Sequence, residues 1–168
     1  MDIFDKYALV ARRHGKIVQA GADPFAVCVE EVRSATRARI NGRDTIMVGT
    51  NNYLGLTFDP ACIDAAVRAI QKHGTGTTGS RIANGSYAIH RELEAEIASF
   101  LGRRAAILFP TGYQAIMGML AGLAGPHDVI LMDADSHSSI YDGCRLSGAT
   151  VVRFRHNDPE DLDRRLTR

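Results

Sequence analysis

From residue 105 onward, short apolar runs alternate with longer helical ones, and that alternation limits the fold more than any other feature of the chain. "AAILFPTG" reads as a buried strand, "YQAIMGMLAGLAG" as a mostly apolar helix and "DVILMDAD" as a second strand. "HSSIYDGCRLSG" then reads as a short helix, "TVVRFRHND" as a third strand and "PEDLDRRL" as the start of another helix. Strands that are apolar along their whole length, each followed by a helix, predict an α/β fold with a parallel sheet covered on both faces. In open sheets of this kind ligands bind beyond the carboxyl ends of the strands. The rule selects two segments, "PTGYQ" at residues 110–114 and "DADSH" at residues 133–137.

Upstream, residues 1 to about 20 read as a helix or arm, followed by a loop around "GADPF". "ATRARINGRDTIMVGT" holds two strand-like runs around Asn41-Gly42, the dipeptide best suited to a tight hairpin turn. In "DPACIDAAVRAIQKHG", Asp59 is an N-cap, Pro60 a first-turn residue and Gly74 a left-handed cap, with Ile63, Val67 and Ile70 forming one apolar stripe. A further helix over residues 90–101 carries Leu93, Ile97 and Phe100 on one face. Both helices are expected to pack.

The 168 residues are long enough to bury roughly 70% of their unfolded surface. Against 20 Lys and Arg stand 19 Asp and Glu, leaving a net charge of +1 and no broad electrostatic footprint for nucleic acid. The basic clusters "ARRHGK" and "DRRLTR" are short and read as solvated helix faces. Cys28, Cys62 and Cys144 are odd in number and widely spaced, which gives neither a disulfide framework nor a zinc site and fits a reducing, cytoplasmic setting. The N-terminus lacks a signal-peptide apolar run, and "GPHD" interrupts the most apolar stretch before it could span a bilayer.

"GTGTTGSR", residues 74–81, resembles a phosphate loop only superficially. A nucleotide loop follows a strand and carries a lysine after its last glycine, whereas a helix precedes this one and Ser80 takes the lysine's place. Turn chemistry after the helix accounts for Gly74, while the glycines and hydroxyls that continue through Ser80 leave a ligand or subunit contact open.

At residues 110–114 a strand passes through Thr111 and Gly112 into a helix whose unpaired amides suit an anion. Gly112 permits close approach and Tyr113 adds a hydroxyl; a plain strand-to-helix turn capped by Thr111 explains the same residues. In "DADSH", Asp133, Asp135 and His137 alternate as metal ligands might, but the strand ends there and no second histidine cluster supports the idea, so no metal is expected. Asp133 or Asp135 is expected to cap the next helix. His137, at the strand's carboxyl end, lies where a ligand ring could stack.

"NNYLGL", "GTTGSR", "TGYQA" and "DADSHSSIYDGC", in this order and at these intervals, resemble the α-oxoamine synthases, fold-type I enzymes dependent on pyridoxal 5′-phosphate (PLP). The likeness runs from about residue 22 to the end. "NGSY" and "VRFRHND" bring the chain nearest to the bacterial branch that uses L-serine. The resemblance implies an N-terminal arm with a small hairpin over residues 1–50. It makes residues 51–168 the first part of the PLP-binding large domain, with its mainly parallel sheet covered by helices. It makes Gly112 and Tyr113 the turn that binds the cofactor phosphate, and His137 the catalytic histidine that stacks on the pyridine ring and orients the amino acid. Asn51 and Ser80 become substrate-binding candidates, Asn51 near the substrate carboxylate and Ser80 in a loop near a dimer interface. The implied reaction joins L-serine to a long-chain acyl-CoA, or an acyl carrier protein thioester, and releases carbon dioxide, forming 3-ketodihydrosphingosine for sphingolipid biosynthesis. The implied protein is a cytoplasmic homodimer without a transmembrane segment, with room for a peripheral membrane contact.

The resemblance also requires a lysine bonded to the cofactor. The lysines are Lys6, Lys16 and Lys72, none in a strand-end setting after the histidine motif. An aspartate for the pyridine nitrogen, a second histidine and an arginine for the substrate carboxylate are expected beyond residue 168. The favoured expectation is the N-terminal portion of a longer synthase, inactive alone. The alternatives are another α-oxoamine synthase using glycine or alanine, and a short non-catalytic partner subunit.

Overall fold

The computed structural model describes residues 2–167. They form two compact units, Met1–Gly76 and Thr77–Arg168.

In the first unit a 3-10 turn leads into helix α1 (Ala8–Gln19). Strands β1 (Val29–Val32), β2 (Arg37–Ile40) and β3 (Arg43–Ile46) then make an antiparallel sheet in the order β1-β2-β3. Asn41 (φ 47°) and Gly42 (φ 75°) close the expected two-residue hairpin, with Ile40 opposite Arg43. The Asn41 side chain also accepts from Cys28 N–H at 3.2 Å and donates to Ala26 C=O at 3.2 Å, holding the approach to β1 against the turn. Sequence reasoning missed β1, because "VEEV" carries no alternating pattern and its residues are exposed. Ala38 is the buried centre of this sheet.

Helix α2 (Pro60–His73) starts as its caps dictate, with the Asp59 carboxylate accepting from Ala61 N–H (2.9 Å) and Cys62 N–H (3.1 Å). Gly74 ends it at φ 80° and ψ −173°: the positive φ is as expected, but the ψ lies outside the left-handed helical well, in a region essentially reserved for glycine. Its apolar stripe of Ile63, Val67 and Ile70 remains exposed.

The second unit opens at Thr77, within the "GTTGSR" loop. A Cβ on Gly85 would lie 1.8 Å from the Gly79 carbonyl oxygen, so the loop crosses itself at a separation only glycine permits. Helix α3 (Ala88–Phe100) follows, with Leu93 and Phe100 exposed rather than packed. Residues 105–109 do not form the expected strand. A strand needs a ladder partner, and among the described residues none pairs with this segment; Leu108 N–H instead donates to the Glu94 carboxylate at 2.9 Å.

Helix α4 (Gly112–Leu123), strand β4 (Val129–Asp133), helix α5 (Ser138–Ser147), strand β5 (Thr150–Phe154) and helix α6 (Pro159–Leu166) complete the chain. β4 and β5 are parallel and in register from Val129–Thr150 to Asp133–Phe154. α5 packs on the face that carries Met132, where Cys144 Sγ lies 4.0 Å from Met132 Sδ, both buried. Cover on both faces, expected from the alternation, is incomplete: Val129, Leu131, Thr150 and Val152 line an open hollow of about 700 Å³ bordered by Arg165 and Leu166.

Candidate active site

The carboxyl end of β4 is organised by Asp133, which does not cap a helix as expected. Its carboxylate accepts from Asp135 N–H (2.8 Å), from His156 Nδ1 (2.9 Å) and from Asn157 N–H (3.1 Å), closing a turn and tying β4 to the loop after β5. The Asp135 amide, and next the His156 imidazole, hold the Asp133 carboxyl below its ordinary pKa, and Asp133 in turn raises that of His156. Among the described residues no three His, Cys, Asp or Glu side chains are grouped so as to hold a metal ion.

The cap of α5 is His137 itself, at φ −61° and ψ 148°. Ser139 N–H donates to His137 Nδ1 at 3.2 Å, and Ser139 Oγ lies 2.8 Å from the same nitrogen. Glycine at residue 143 lets α5 approach α4 closely: a Cβ there would stand 2.9 Å from the Leu120 side chain.

That approach brings the starts of the two helices together. Thr111 caps α4, its Oγ1 accepting from Gln114 N–H at 3.2 Å. Gly112 and Tyr113 contribute the first two amides, which have no intrahelical acceptor in any α-helix. The phenol of Tyr113 donates to Asp142 on α5, and its ring meets the His137 ring edge-on, with centroids 6.1 Å apart and planes at 73°. The Asp142 carboxylate, as hydrogen-bond acceptor and neighbouring charge, raises the pKa of Tyr113.

Gly112, Tyr113 and His137 are therefore assembled in one place. Ser80 lies in the second unit, in the self-crossing loop, where Oγ accepts from Ile82 N–H at 3.4 Å. Its neighbour Arg81 reaches Glu94 at 2.8 Å, and Leu108 N–H and Arg81 together keep the Glu94 carboxyl below its ordinary pKa. Asn51 belongs to the first unit and accepts from Tyr53 Oη at 3.4 Å. Ser139 and Asp142 lie within "DADSHSSIYDGC", and their positions two and five residues after His137 are the only sign of their roles in the sequence.

The residues present fit PLP on two observations. A Cβ at Gly112 would meet nothing within 4 Å, so the start of α4 is an open cradle of two amides suited to a phosphate. The neighbouring His137 ring has Nε2 unpaired among the described residues, available to a second group.

The aminotransferase class I and II family matches residues 43–168. Serine palmitoyltransferase from Caulobacter vibrioides is 56% identical over 168 residues, which take in 100% of this chain and 42% of that protein. A variant serine palmitoyltransferase from S. paucimobilis, solved with bound PLP–myriocin, matches with a TM-score of 0.94 at 47% identity, covering 100% of this chain and 42% of that one. A putative 8-amino-7-oxononanoate synthase from Syntrophotalea carbinolica is 46% identical over 129 residues, 77% of this chain and 33% of that protein. The chain thus spans about two fifths of the length of its serine palmitoyltransferase relatives, 42% of the one from C. vibrioides.

Proposed function

The chain belongs to the aminotransferase class I and II family, and from that premise we propose that it is the N-terminal portion of a PLP-dependent serine palmitoyltransferase. The longer protein joins L-serine to a long-chain acyl-CoA, or the corresponding carrier-protein thioester. It releases carbon dioxide and yields 3-ketodihydrosphingosine for sphingolipid synthesis. The observation that carries this reading is the meeting of Tyr113 and His137 beside the open amides of α4.

PLP, when bound, supplies the electron-withdrawing ring that stabilises negative charge at the serine Cα. Gly112 and Tyr113 would hold its phosphate through their amide hydrogens, where the helix dipole favours an anion. His137 would stack against the cofactor ring and offer Nε2–H to the serine carboxylate, restricting how the amino acid tilts while the acyl donor approaches. Asn51, in the first unit, and Ser80, in the second, remain substrate-binding candidates of the longer protein. Lys6 sits over the Tyr7 ring, Lys16 lies within α1 and Lys72 in the last turn of α2. We assign the cofactor's lysine to the remainder of the longer protein, without which these residues are inactive.

The same reading makes residues 1–50 an arm with a hairpin and residues 51–168 the first part of the large domain, in a cytoplasmic homodimer. No helix among the described residues is long and apolar enough to cross a membrane.

The 46% identity to a putative 8-amino-7-oxononanoate synthase favours a second reading, an α-oxoamine synthase using alanine or glycine. The full-length protein, purified with PLP, separates the two: its visible absorbance shifts with L-serine in the first case. A shift with alanine or glycine and none with serine overturns the substrate. A protein that takes up no PLP is instead a non-catalytic partner subunit.

A further inference from the structure

We propose that Ser139 is a positioning residue that fixes the tautomer and ring orientation of His137, so that Nε2 carries the hydrogen offered to a substrate carboxylate. The proposal rests on the functional reading above, and it begins from hydrogen inventory. A backbone N–H can only donate, so the bond from Ser139 N–H leaves Nδ1 of His137 as an unprotonated acceptor. The neutral imidazole then carries its hydrogen on Nε2.

The Ser139 side chain reinforces the assignment. It is fully buried, at 0% exposure, and among the described residues its only recorded hydrogen-bond partner is His137 Nδ1 at 2.8 Å. A buried hydroxyl places its hydrogen on an available acceptor, and here that acceptor is the same Nδ1 lone pair. Two donors from one residue therefore converge on one ring nitrogen and limit rotation about the His137 side chain. The Tyr113 ring meets the His137 ring in an edge-to-face arrangement from α4, at 6.1 Å between centroids. Held in this way, the ring presents a donor, and a donor pairs with a carboxylate where the other tautomer would present a lone pair and repel it.

Nitrogen NMR of the full-length, PLP-loaded protein labelled with [15N]histidine reads the tautomer directly, and His137→Ala identifies the signal. The expected result is an unprotonated Nδ1 and a protonated Nε2. Ser139→Ala, which keeps the backbone donor but loses the hydroxyl, should weaken the preference, so that a fraction of the Nδ1-protonated tautomer appears beside the original one. It should also raise the KM for L-serine by about tenfold, the scale of one hydrogen bond, while PLP occupancy stays unchanged. Ser139→Thr, which retains the hydroxyl, should restore both. Protonated Nδ1 of His137 in the wild-type protein overturns the proposal even if no Ser139 variant folds, as does a Ser139→Ala protein with unchanged nitrogen shifts and unchanged KM. A wild-type protein that ignores serine overturns the functional reading and the carboxylate role together, whereas the nitrogen shifts judge the Ser139 bond on their own.

Discussion

Tyr113 donates its phenolic hydrogen to Asp142, and Asp142 in turn accepts from Arg145 at 3.2 Å, one turn along α5. Three side chains thus link the first turn of α4 to α5 and set how the Tyr113 edge meets His137. Because the phenolate would lose its bond to Asp142 and face that carboxylate's charge, Tyr113 is held in its protonated form above the pH where phenols ordinarily ionise. Asp142→Ala removes both influences, so Tyr113 should ionise at lower pH than in the wild type. Ultraviolet difference titration against Tyr113→Phe, which isolates this phenol, checks the direction. Coincident curves for wild type and Asp142→Ala would show that the tie does not hold in solution. Gly112, Tyr113 and His137 stood out in the sequence through local order and type at two helix starts, and the structure brings Tyr113 and His137 together although among the described residues no strand leads into Gly112. Asp142 was not legible in the same way: its partner lies 29 positions earlier, and only the packing of two helices brings them together.

Elements were legible where a cap or a turn announces them. Asp59-Pro60, Asn41-Gly42 and Thr111 each act through their own backbone neighbours, and α2, the hairpin and α4 begin or turn where those residues stand. The segment 105–109 was misread because an apolar run states that a strand would be buried, not that a partner lies alongside it. The tie between β4 and the loop after β5 depends on such non-local geometry too, and it carries a pH signature. His156 has a raised folded pKa, so its contribution is complete below about pH 6.5, the unfolded value, and is lost as pH climbs through the folded one. Asp133 has a lowered folded pKa, so its contribution is complete above about pH 3.9 and is lost as pH falls through the folded value. The gap in Tm between wild type and His156→Ala should therefore be widest between about pH 4 and pH 6.5, and close on the alkaline side. High salt should narrow it, since His156 is 60% exposed. A gap independent of pH would assign the stabilisation to packing instead of charge.

For the chain as a whole, the decisive quantity is surface. The buried hydrophobic residues among those described are Ala38, Ala98, Met132 and Cys144, and the accessible area is 13682 Å². A compact monomer of 18.3 kDa exposes about 8,100 Å², and two independent units of half that mass would together expose about 9,800 Å². The excess is apolar in good part: Phe25, Val48, Tyr53, Leu54, Ile82, Phe100 and Leu123 are each more than four-fifths exposed. Isolated exposed hydrophobes are ordinary on a protein surface, but this many large ones, alongside so small a buried set, leave little burial to oppose chain entropy. In the proposed longer protein, further chain and a second subunit supply the missing cover. The 168 residues expressed alone should accordingly bind the dye ANS and melt over a broad range, while the full-length protein binds little dye and melts sharply. A steep calorimetric transition without dye binding in the 168-residue chain would mean that its own contacts suffice, and the argument from surface would fail.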